Sequence, residues 1–318
     1  MPIRKALVTG ASGFIGGHLV DRLLADSAIV TALVRSGSVL PERWRVRVLA
    51  VASDDWSEAG LRRALPAPEC ETLFHLAAYG VRPNDRDVDA MMRVNIELPA
   101  TLARLCQQWN ARLVITGTFS EYMKPASNDP LTELAPLEAS KLYGASKAAG
   151  GLMTSAIARE IGVGLRILRL FKAYGAGEAP HRLLPALVSG LKQQQRVAIS
   201  SGAQILDFVY VDDVIEALLR ADQHIRDHGA VATWNVSTGQ GHSVRHFAQL
   251  VADAMNADRK LLGFGEIAMR RDDEPWRVGD PQLMQAELGW HPRIDLEAGV
   301  KAAVAAIVGR VPSYQTGP

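Results

Sequence analysis

The residues that most clearly suggest chemistry are a tyrosine and a lysine four positions apart, Tyr143 and Lys147. This spacing places both side chains on one face of a helix, one turn apart. A free tyrosine has a pKa of about 10 and is a poor acid or base at neutral pH, whereas a nearby ammonium stabilises the phenolate and lowers that pKa. The pair is therefore predicted to exchange a proton with a substrate oxygen. The alternative is an ordinary pair on a helix surface.

A glycine-rich stretch near the start of the chain is the second feature. Residues 5–9 are typical of a buried parallel strand, and the apolar spacing of residues 14–25 predicts a helix. In the turn between them, the missing side chains let the backbone approach a pyrophosphate, whose charge the helix N-terminus favours. The spacing is GxxGxxG rather than the commoner GxGxxG, and an ordinary glycine turn is the alternative. The predicted contacts are Gly10, Ser12, Gly13, Phe14, Ile15 and Gly16.

This turn and the tyrosine–lysine pair together predict hydride transfer with a nicotinamide dinucleotide. An NAD site usually has an acidic residue about 20 residues after the turn, which holds the ribose 2′-hydroxyl. This chain has Val34, Arg35 and Ser36 there. Because a guanidinium binds a 2′-phosphate through paired hydrogen bonds, NADP(H) is predicted, with NAD(H) as the alternative if Arg35 only stacks on adenine or lies in solvent. Asp54 is available to accept a hydrogen bond from the adenine amino group.

A third catalytic residue is expected after the predicted strand at 112–115. Ligands of open α/β sheets bind at the carboxyl ends of the strands. A hydroxyl at this point is therefore predicted to hydrogen-bond the reacting oxygen beside Tyr143. Thr118 is the preferred candidate, and Thr116 and Ser120 are the alternatives.

With these features, the chain resembles an extended short-chain dehydrogenase/reductase of the kind that acts on nucleotide sugars. The resemblance covers nearly the whole chain, from residue 5 to about residue 292. It rests on the stretches TGASGFIG (9–16), HLAA (75–78), RVNIE (93–97), YGASK (143–147), LRLFKAYGAG (168–177), DFVYVDDV (207–214) and ELGWHP (287–292).

The resemblance implies a fold and a set of site residues. The α/β fold is a Rossmann doubly wound parallel sheet, which the alternation of strands and helices also predicts, with a smaller mixed α/β C-terminal substrate domain. The expected domains are 1–173, with 207–230 returning to it, and 174–318. The implied triad is Thr118, Tyr143 and Lys147, and the further implied cofactor contacts are Ala77, Ala78, Tyr79, Thr116 and Phe171. A homodimer formed through a helix pair is also expected from the resemblance.

Departures from the family pattern narrow the reaction. Sugar 4,6-dehydratases carry an Asp-Glu pair directly after the triad hydroxyl, where this chain has Phe119 and Ser120, so that reaction is disfavoured. Lys172 stands where the family usually has an asparagine, and as a cation it can bind a phosphate. Leu206 stands where many members have an arginine. The predicted substrate contacts are Ser120, Lys172, His181, Arg182 and Arg277.

Reductases and epimerases of this kind share the triad and the hydride step. A 4-epimerase holds NAD tightly, whereas a reductase releases its oxidised cofactor and usually prefers NADPH. Arg35 therefore favours an NADPH-dependent reduction of the keto group of a nucleotide-linked 4-keto-6-deoxy sugar, with Tyr143 as the proton donor. The stretches 75–80 and 120–122 are similar to 4-ketoreductases such as CDP-abequose and CDP-paratose synthases. The alternatives are a nucleotide-sugar 4-epimerase and a non-catalytic dinucleotide sensor.

Composition agrees with an enzyme of the cytoplasm that binds a small molecule. The 318 residues are 48% hydrophobic, enough to bury a large core, and a net charge of +1 predicts no broad basic surface for nucleic acid. Cys70 and Cys106 form no disulfide framework, which fits a reducing compartment, and no metal site is predicted. Neither a signal peptide nor a membrane span is expected.

Overall fold

The computed structural model describes residues 3–65, 70–82, 84–125, 127–228, 231–269 and 275–309. The strands are β1 (Lys5–Thr9), β2 (Ile29–Val34), β3 (Val48–Ala52), β4 (Thr72–His75), β5 (Arg112–Thr118), β6 (Leu165–Leu170), β7 (Lys172–Tyr174), β8 (Val197–Ile199), β9 (Ile205–Leu206), β10 (Phe208–Tyr210), β11 (Val231–Val236), β12 (His242–Ser243), β13 (Leu262–Phe264) and β14 (Trp276–Arg277).

The helices are α1 (Phe14–Ala25), α2 (Glu58–Ala64), α3 (Val88–Met92), α4 (Leu98–Trp109), α5 (Leu142–Ile161), α6 (Leu183–Lys192), α7 (Val211–His228), α8 (Val244–Ala254), α9 (Gln282–Leu288) and α10 (Leu296–Gly309). A π-helical turn over Arg93–Glu97 joins α3 to α4, and a short 3₁₀ turn over Phe119–Glu121 follows β5. Among the described residues, no helix is both long and apolar enough to cross a lipid bilayer.

A parallel sheet in the order β11-β6-β5-β4-β1-β2-β3 organises the chain. Every neighbouring pair in it is parallel. The chain adds strands outward from β1 to β3 and then returns to the other side of β1 for β4, so the strand order reverses between β1 and β4. This confirms the predicted doubly wound Rossmann sheet. It also places the ligand crevice at the carboxyl ends of these two strands.

Helices cover the sheet on both faces because successive residues of a strand point to opposite sides. Val8 belongs to the core beneath α1 and α7, together with Leu19 and Val214. Its neighbour Leu7 belongs to the opposite core, together with Leu102 of α4. All five side chains are fully buried. Each contributes about 1.5–3 kcal/mol relative to an exposed side chain, so the crevice is supported by a rigid floor.

The last strand of the sheet follows the segment 207–230 that was predicted to return to it. This strand, β11 (Val231–Val236), pairs with β6 along its whole length. Its side chains Trp234 and Val236 are fully buried, as expected for an apolar strand at this sheet edge. The domain limits, 1–173 with 207–230 and 174–318, stay a prediction.

Small sheets and helices beyond β6 form the remainder of the described chain. The small sheets are β7 with β10, β8 with β13, and β9 between β12 and β14. Phe208 stacks on Phe247 with ring centroids 4.4 Å apart, and Tyr174 meets Phe247 edge-on at 5.3 Å. This aromatic cluster fixes β7 and β10 against α8. Since β7 follows β6 directly, the residues after it lie near the carboxyl edge of the main sheet.

Candidate active site

Close backbone contacts shape the glycine turn between β1 and α1. Gly10 has a φ of +69°, which other residues rarely adopt, and a Cβ there would lie 2.7 Å from the backbone nitrogen of Ala77. A Cβ at Gly16 would lie 2.1 Å from the carbonyl oxygen of Gly10. The Gly13 amide donates to that same oxygen at 2.9 Å. The glycines are therefore required by the packing of the turn on its own helix and on the segment after β4.

The amino-terminal end of α1 is suited to binding an anion. The helix begins after Gly13, which has no side chain to cap it, and its first turn carries no acidic residue. The first amide groups of a helix lack partners within it and attract negative charge. Ser12 and Gly13 are exposed, while Phe14 and Ile15 are half-buried. The predicted residues thus form a cradle that fits the pyrophosphate of a dinucleotide.

The end of β2 places three of the predicted cofactor residues together. Arg35 and Ser36 are exposed directly after the buried Val34, and the Ser36 amide donates to Asp54 Oδ1 at 3.1 Å. Hydrogen bonds from Ser36, with the charge of Arg35, lower the pKa of the Asp54 carboxyl. Asp54 therefore lies beside Arg35 as an ionised group. The contacts of these residues with adenine or a 2′-phosphate stay predictions.

A buried histidine organises the segment after β4. The Thr9 hydroxyl lies 2.8 Å from Nδ1 of His75, and the Ala77 amide donates to the same hydroxyl at 3.3 Å. Burial, together with the charge of Lys147, lowers the pKa of His75 to about 3. His75 is therefore neutral at pH 7. The segment carrying Ala77 and Ala78 is held beside the glycine turn.

Asn95 connects this segment to α5, which carries Tyr143 and Lys147, a role that the sequence analysis missed. Its Oδ1 accepts from the Tyr79 amide, and its Nδ2 donates to both the Tyr79 carbonyl and the Ser146 hydroxyl, each at 2.9 Å. Ser146 in turn donates to the carbonyl of Tyr143 at 2.9 Å. A Cβ at Gly150 would lie 1.9 Å from the carbonyl oxygen of Asn95, so α5 packs almost directly on this backbone. The sequence signal was the stretch RVNIE (93–97), which supported the family resemblance without indicating this role for its asparagine.

The predicted triad comes together at the carboxyl end of β5. Thr118 ends the strand, and its side chain accepts from the Ser120 amide at 3.2 Å and hydrogen-bonds Tyr143. Tyr143 lies in the first turn of α5, with Lys147 buried one turn further on. Thr116 instead directs its hydroxyl to the His75 carbonyl at 3.5 Å. The geometry therefore supports Thr118 over Thr116 as the hydroxyl partner.

The protonation of Tyr143 differs from the sequence-based expectation. Burial raises the pKa of Tyr143 to about 12, and the carboxylate of Glu121 adds to this, while Arg182 and the Thr118 hydrogen bond oppose it. Burial lowers the pKa of Lys147, and Glu121 opposes that change. The net lowering of the tyrosine pKa that the sequence predicted is thus wrong for the free protein, where burial and Glu121 raise it. Tyr143 as a whole is half-buried, and among the described residues Glu121 raises its pKa and Arg182 lowers it.

Two of the predicted substrate-binding residues, Lys172 and Arg182, act on the same buried carboxylate, that of Glu178. The Glu178 side chain is 4% exposed, and its Oε2 lies 3.7 Å from Nε of Arg182. Its Oε1 accepts from the Gly175 amide at 3.2 Å. Burial raises the pKa of Glu178, whereas the charges of Lys172 and Arg182 lower it. Lys172 and Arg182 are therefore brought together, and Arg182 also acts on Tyr143.

The other predicted contacts lie in different surroundings. Arg277 is 3% exposed and donates to the carbonyls of Met123 (2.7 Å) and Tyr122 (3.3 Å), so it braces the backbone after β5. Phe171 is buried with its ring 5.9 Å from that of Phe119, which is a packing role. His181 is exposed, and Ser120 is half-buried beside the triad. Ligand contacts by these residues stay predictions.

Several known enzymes are similar to this chain along most of its length. The chain matches the NAD dependent epimerase/dehydratase family over residues 6–237. It is 28% identical over 311 residues to the dTDP-6-deoxy-L-talose 4-dehydrogenase (NAD(P)(+)) of Kitasatospora kifunensis, which covers 94% of each chain. It is 27% identical over 311 residues to the dTDP-glucose 4,6-dehydratase of Streptomyces griseus, covering 94% of this chain and 92% of that protein. It is 25% identical over 308 residues to the CDP-abequose synthase of Salmonella typhimurium, covering 93% and 95%.

A solved structure agrees with these relatives. The UDP-glucose 4-epimerase of Thermus thermophilus in complex with NAD superposes with a TM-score of 0.85 at 26% identity, over 96% of this chain and 100% of that one. Fold and site together define an NAD(P)-dependent enzyme of the oxidoreductase type. The chain belongs to the NAD dependent epimerase/dehydratase family. The family resemblance seen in the motifs is confirmed.

The glycine turn gives the first testable prediction. Gly16→Ala places a methyl group against the Gly10 carbonyl, whereas a Cβ at Gly17 meets its nearest neighbour at an ordinary 3.9 Å. We expect Gly16→Ala to lose at least about tenfold in affinity for NADPH and NADH, measured by fluorescence titration, since the cradle must open. The matched control Gly17→Ala is expected to bind normally and to gain up to about 1 kcal/mol of stability. Equal affinities in the two variants would refute this account of the turn.

Proposed function

We propose that this protein reduces the keto group of a nucleotide-linked 4-keto-6-deoxy sugar with NADPH. The observation that carries the proposal is the Tyr143 phenol, which is hydrogen-bonded to Thr118 and lies one turn from the buried Lys147. It lies at the carboxyl end of β5, on the edge of the sheet where the glycine turn also lies. Proton donor and dinucleotide cradle therefore face the same crevice.

The chain's own residues account for the proton transfer. A bound NADPH would supply the hydride to the keto carbon. Tyr143 donates its phenolic proton to the carbonyl oxygen, so that the ketone becomes an alcohol. Thr118 holds that oxygen beside Tyr143. Lys147 stabilises the phenolate that remains, which takes its next proton from solvent.

Arg35 favours a reductase over an epimerase, because a reductase usually prefers NADPH and the exposed guanidinium after β2 suits a 2′-phosphate. A reductase also needs the phenol of Tyr143 as an acid, and burial and Glu121 favour that form. A 4-epimerase must first take a proton from a sugar hydroxyl, which needs the phenolate. The second candidate is nevertheless a 4-epimerase with tightly held NAD, because the Thermus thermophilus epimerase shares the fold over 96% of this chain.

The relatives support a nucleotide-linked sugar as the substrate. The names of the three relatives and of the epimerase structure all refer to sugars linked to a nucleotide. Arg182, which acts on Tyr143, and Lys172, which acts with Arg182 on Glu178, provide positive charge that suits a diphosphate. Phe119 and Ser120 have no acid or base group for water elimination, which argues against the dehydratase reaction.

We also propose that the reaction takes place in the cytoplasm. Cys70 and Cys106 are both free and buried, and burial raises the pKa of the Cys70 thiol to about 11. Unpaired thiols of this kind fit a reducing compartment.

The substrate assignment is tested by absorbance of the reduced nicotinamide. Purified protein is mixed with NADPH or NADH and a panel of CDP-, dTDP-, GDP- and UDP-4-keto-6-deoxy sugars. We expect stoichiometric loss of NADPH with one of these sugars. Tyr143→Phe is expected to lower kcat by at least about 10²-fold, because the proton donor is lost. A sugar altered by NMR without cofactor consumption would identify an epimerase, and unchanged turnover in Tyr143→Phe would overturn the catalytic assignment.

The cofactor preference is tested at the end of β2. Arg35→Asp is expected to weaken NADPH binding by at least about tenfold, while NADH binding is unchanged or improved, because a carboxylate repels the 2′-phosphate. Both dissociation constants are measured by fluorescence titration. The control is Arg45→Asp, which removes another exposed arginine of the connection between β2 and β3, paired with Glu42 at 3.1 Å. NADPH affinity that survives Arg35→Asp would contradict the NADP(H) proposal.

A homodimer is the proposed assembly, formed through α3 and α5. Met92 on α3 and Leu152 and Met153 on α5 are 47%, 61% and 53% exposed. Leu152→Glu is expected to halve the mass measured by light scattering, since it puts a charge into an apolar contact. Leu134→Glu, at a 95% exposed leucine away from these helices, is the control and is expected to leave the mass unchanged. A monomeric wild-type protein would refute the proposal.

A further inference from the structure

We propose that Glu121 is a positioning residue of the candidate active site. Its buried carboxylate, paired with Arg169, anchors the backbone of Thr118 and supplies a fixed negative charge behind Tyr143 and Lys147. The inference rests on the proposed function for its catalytic meaning. The arrangement itself belongs to the free protein, so it is tested without any substrate.

Both oxygens of Glu121 are held in place. The residue is 1% exposed; its Oε2 accepts from Nε of Arg169 at 2.8 Å, and its Oε1 accepts from the amide of Thr118 at 2.9 Å. Thr118 and Glu121 form a capping box around the 3₁₀ turn after β5. Because Thr118 is also the hydrogen-bond partner of Tyr143, the carboxylate fixes the strand end that positions the phenol.

Arg169 is itself held from its other side. Its Nη1 donates to the Tyr122 hydroxyl at 3.1 Å and to the Glu133 carbonyl at 3.2 Å. Its guanidinium lies over the Tyr122 ring, 4.8 Å from the centroid. The Tyr122 hydroxyl donates onward to Asn235 Oδ1 at 2.6 Å. The pair is therefore a rigid, desolvated unit, for which removal of one partner leaves an uncompensated charge.

Gly117 leaves room for the Glu121 carboxylate. A Cβ at Gly117 would lie 2.4 Å from Oε1 of Glu121. Gly117 lies inside β5, between Thr116 and Thr118, so a turn does not explain the glycine. The glycine is needed because the carboxylate folds back against the strand.

Glu121 and Lys147 face the same internal space. A small cavity is lined by both of them, with His75, Asn95 and Thr116 among its other walls. Within the described part of the chain, Nε2 of His75 has no hydrogen-bond partner. Charges that line an enclosed space interact strongly because water screens them poorly there.

The pKa changes of Tyr143 and Lys147 agree with the position of Glu121. Glu121 raises the pKa of Tyr143 and opposes the lowering of the Lys147 pKa by burial. The other groups that act on Tyr143 are Arg182 and Thr118, and Lys147 also acts on His75. The carboxylate thus favours the protonated form of both residues, which is the state that a proton-donating tyrosine requires.

The test compares two matched buried pairs. Asp222 is also 1% exposed, and its Oδ1 lies 2.8 Å from Nε of Arg112, at the opposite, amino-terminal edge of the sheet. Glu121→Gln and Asp222→Asn each remove one buried carboxylate charge from an arginine. The phenol of Tyr143 is titrated by ultraviolet difference spectra, each variant being compared with the same variant carrying Tyr143→Phe. Circular dichroism and the thermal midpoint report folding.

We expect Glu121→Gln to lower the pKa of Tyr143 by about one unit or more, and Asp222→Asn to leave it unchanged at a similar loss of thermal stability. Gly117→Ala, which displaces the carboxylate without removing it, is expected to shift the pKa in the same direction. Glu121→Asp is expected to restore part of the wild-type value. An unchanged Tyr143 titration in both folded Glu121→Gln and Gly117→Ala would overturn the proposal, as would an equal shift in Asp222→Asn.

The result is independent of the reaction assignment. If no 4-keto sugar is reduced but the titration shifts as expected, the proposed function fails and the role of Glu121 stands. If a substrate is found, the alkaline limb of kcat against pH is expected to move to lower pH in Glu121→Gln. If neither the alkaline limb of kcat nor the titration of Tyr143 moves in Glu121→Gln, Glu121 only stabilises the fold.

Discussion

The active site depends on how closely two backbone segments approach at the carboxyl ends of β1 and β4. Gly10 turns the chain so tightly against Leu76 and Ala77 that a single methyl group would collide with the backbone. Thr9 joins the same two segments through its hydroxyl, which contacts His75 and Ala77. Because β1 and β4 are neighbours at the reversal of the strand order, this contact forms the floor of the dinucleotide cradle. A bulkier residue would separate the cradle from the helix that follows it.

The same constraint recurs where α5 meets the sheet. A Cβ at Gly144 would lie 2.0 Å from the carbonyl of Ser120, just as one at Gly150 would collide with Asn95. Two glycines six residues apart on α5 therefore let the helix pack directly on the 3₁₀ turn after β5 and on the π-helical turn before α4. Tyr143 reaches Thr118 because of this approach, and Asn95 then fixes the helix to the segment after β4 by hydrogen bonds. The catalytic geometry is thus built from backbone contacts more than from side-chain packing.

Burial has a second consequence, which concerns charge. The Lys147 ammonium and the Glu121 carboxylate are buried near the half-buried Tyr143, so Glu121 acts on the pKa of Tyr143 and of Lys147 more strongly than it would in solvent. Glu121 is held by Arg169 and by the Thr118 amide, so its negative charge stays in place. In the free protein the pKa of Tyr143 is consequently raised to about 12. Lys172 and Arg182 both act on the buried Glu178 carboxylate, and Arg182 also acts on Tyr143.

The sequence by itself determined the parallel sheet and the family, and it predicted the glycine cradle and the residues of the triad. These follow from local patterns: apolar runs give strands, glycine spacing gives a turn, and a four-residue interval puts Tyr143 and Lys147 on one helix face. It did not determine that β11 completes the sheet, since pairing with β6 joins residues far apart in the chain. It also gave the wrong direction for the Tyr143 pKa, because burial and the position of Glu121 depend on how β5, β6 and α5 pack. The capping-box spacing of Thr118 and Glu121 was visible in the sequence, but only the tertiary structure placed that carboxylate opposite Arg169. Local residue types therefore decided which groups are present, whereas long-range packing decided which of them share a buried space and in which protonation state.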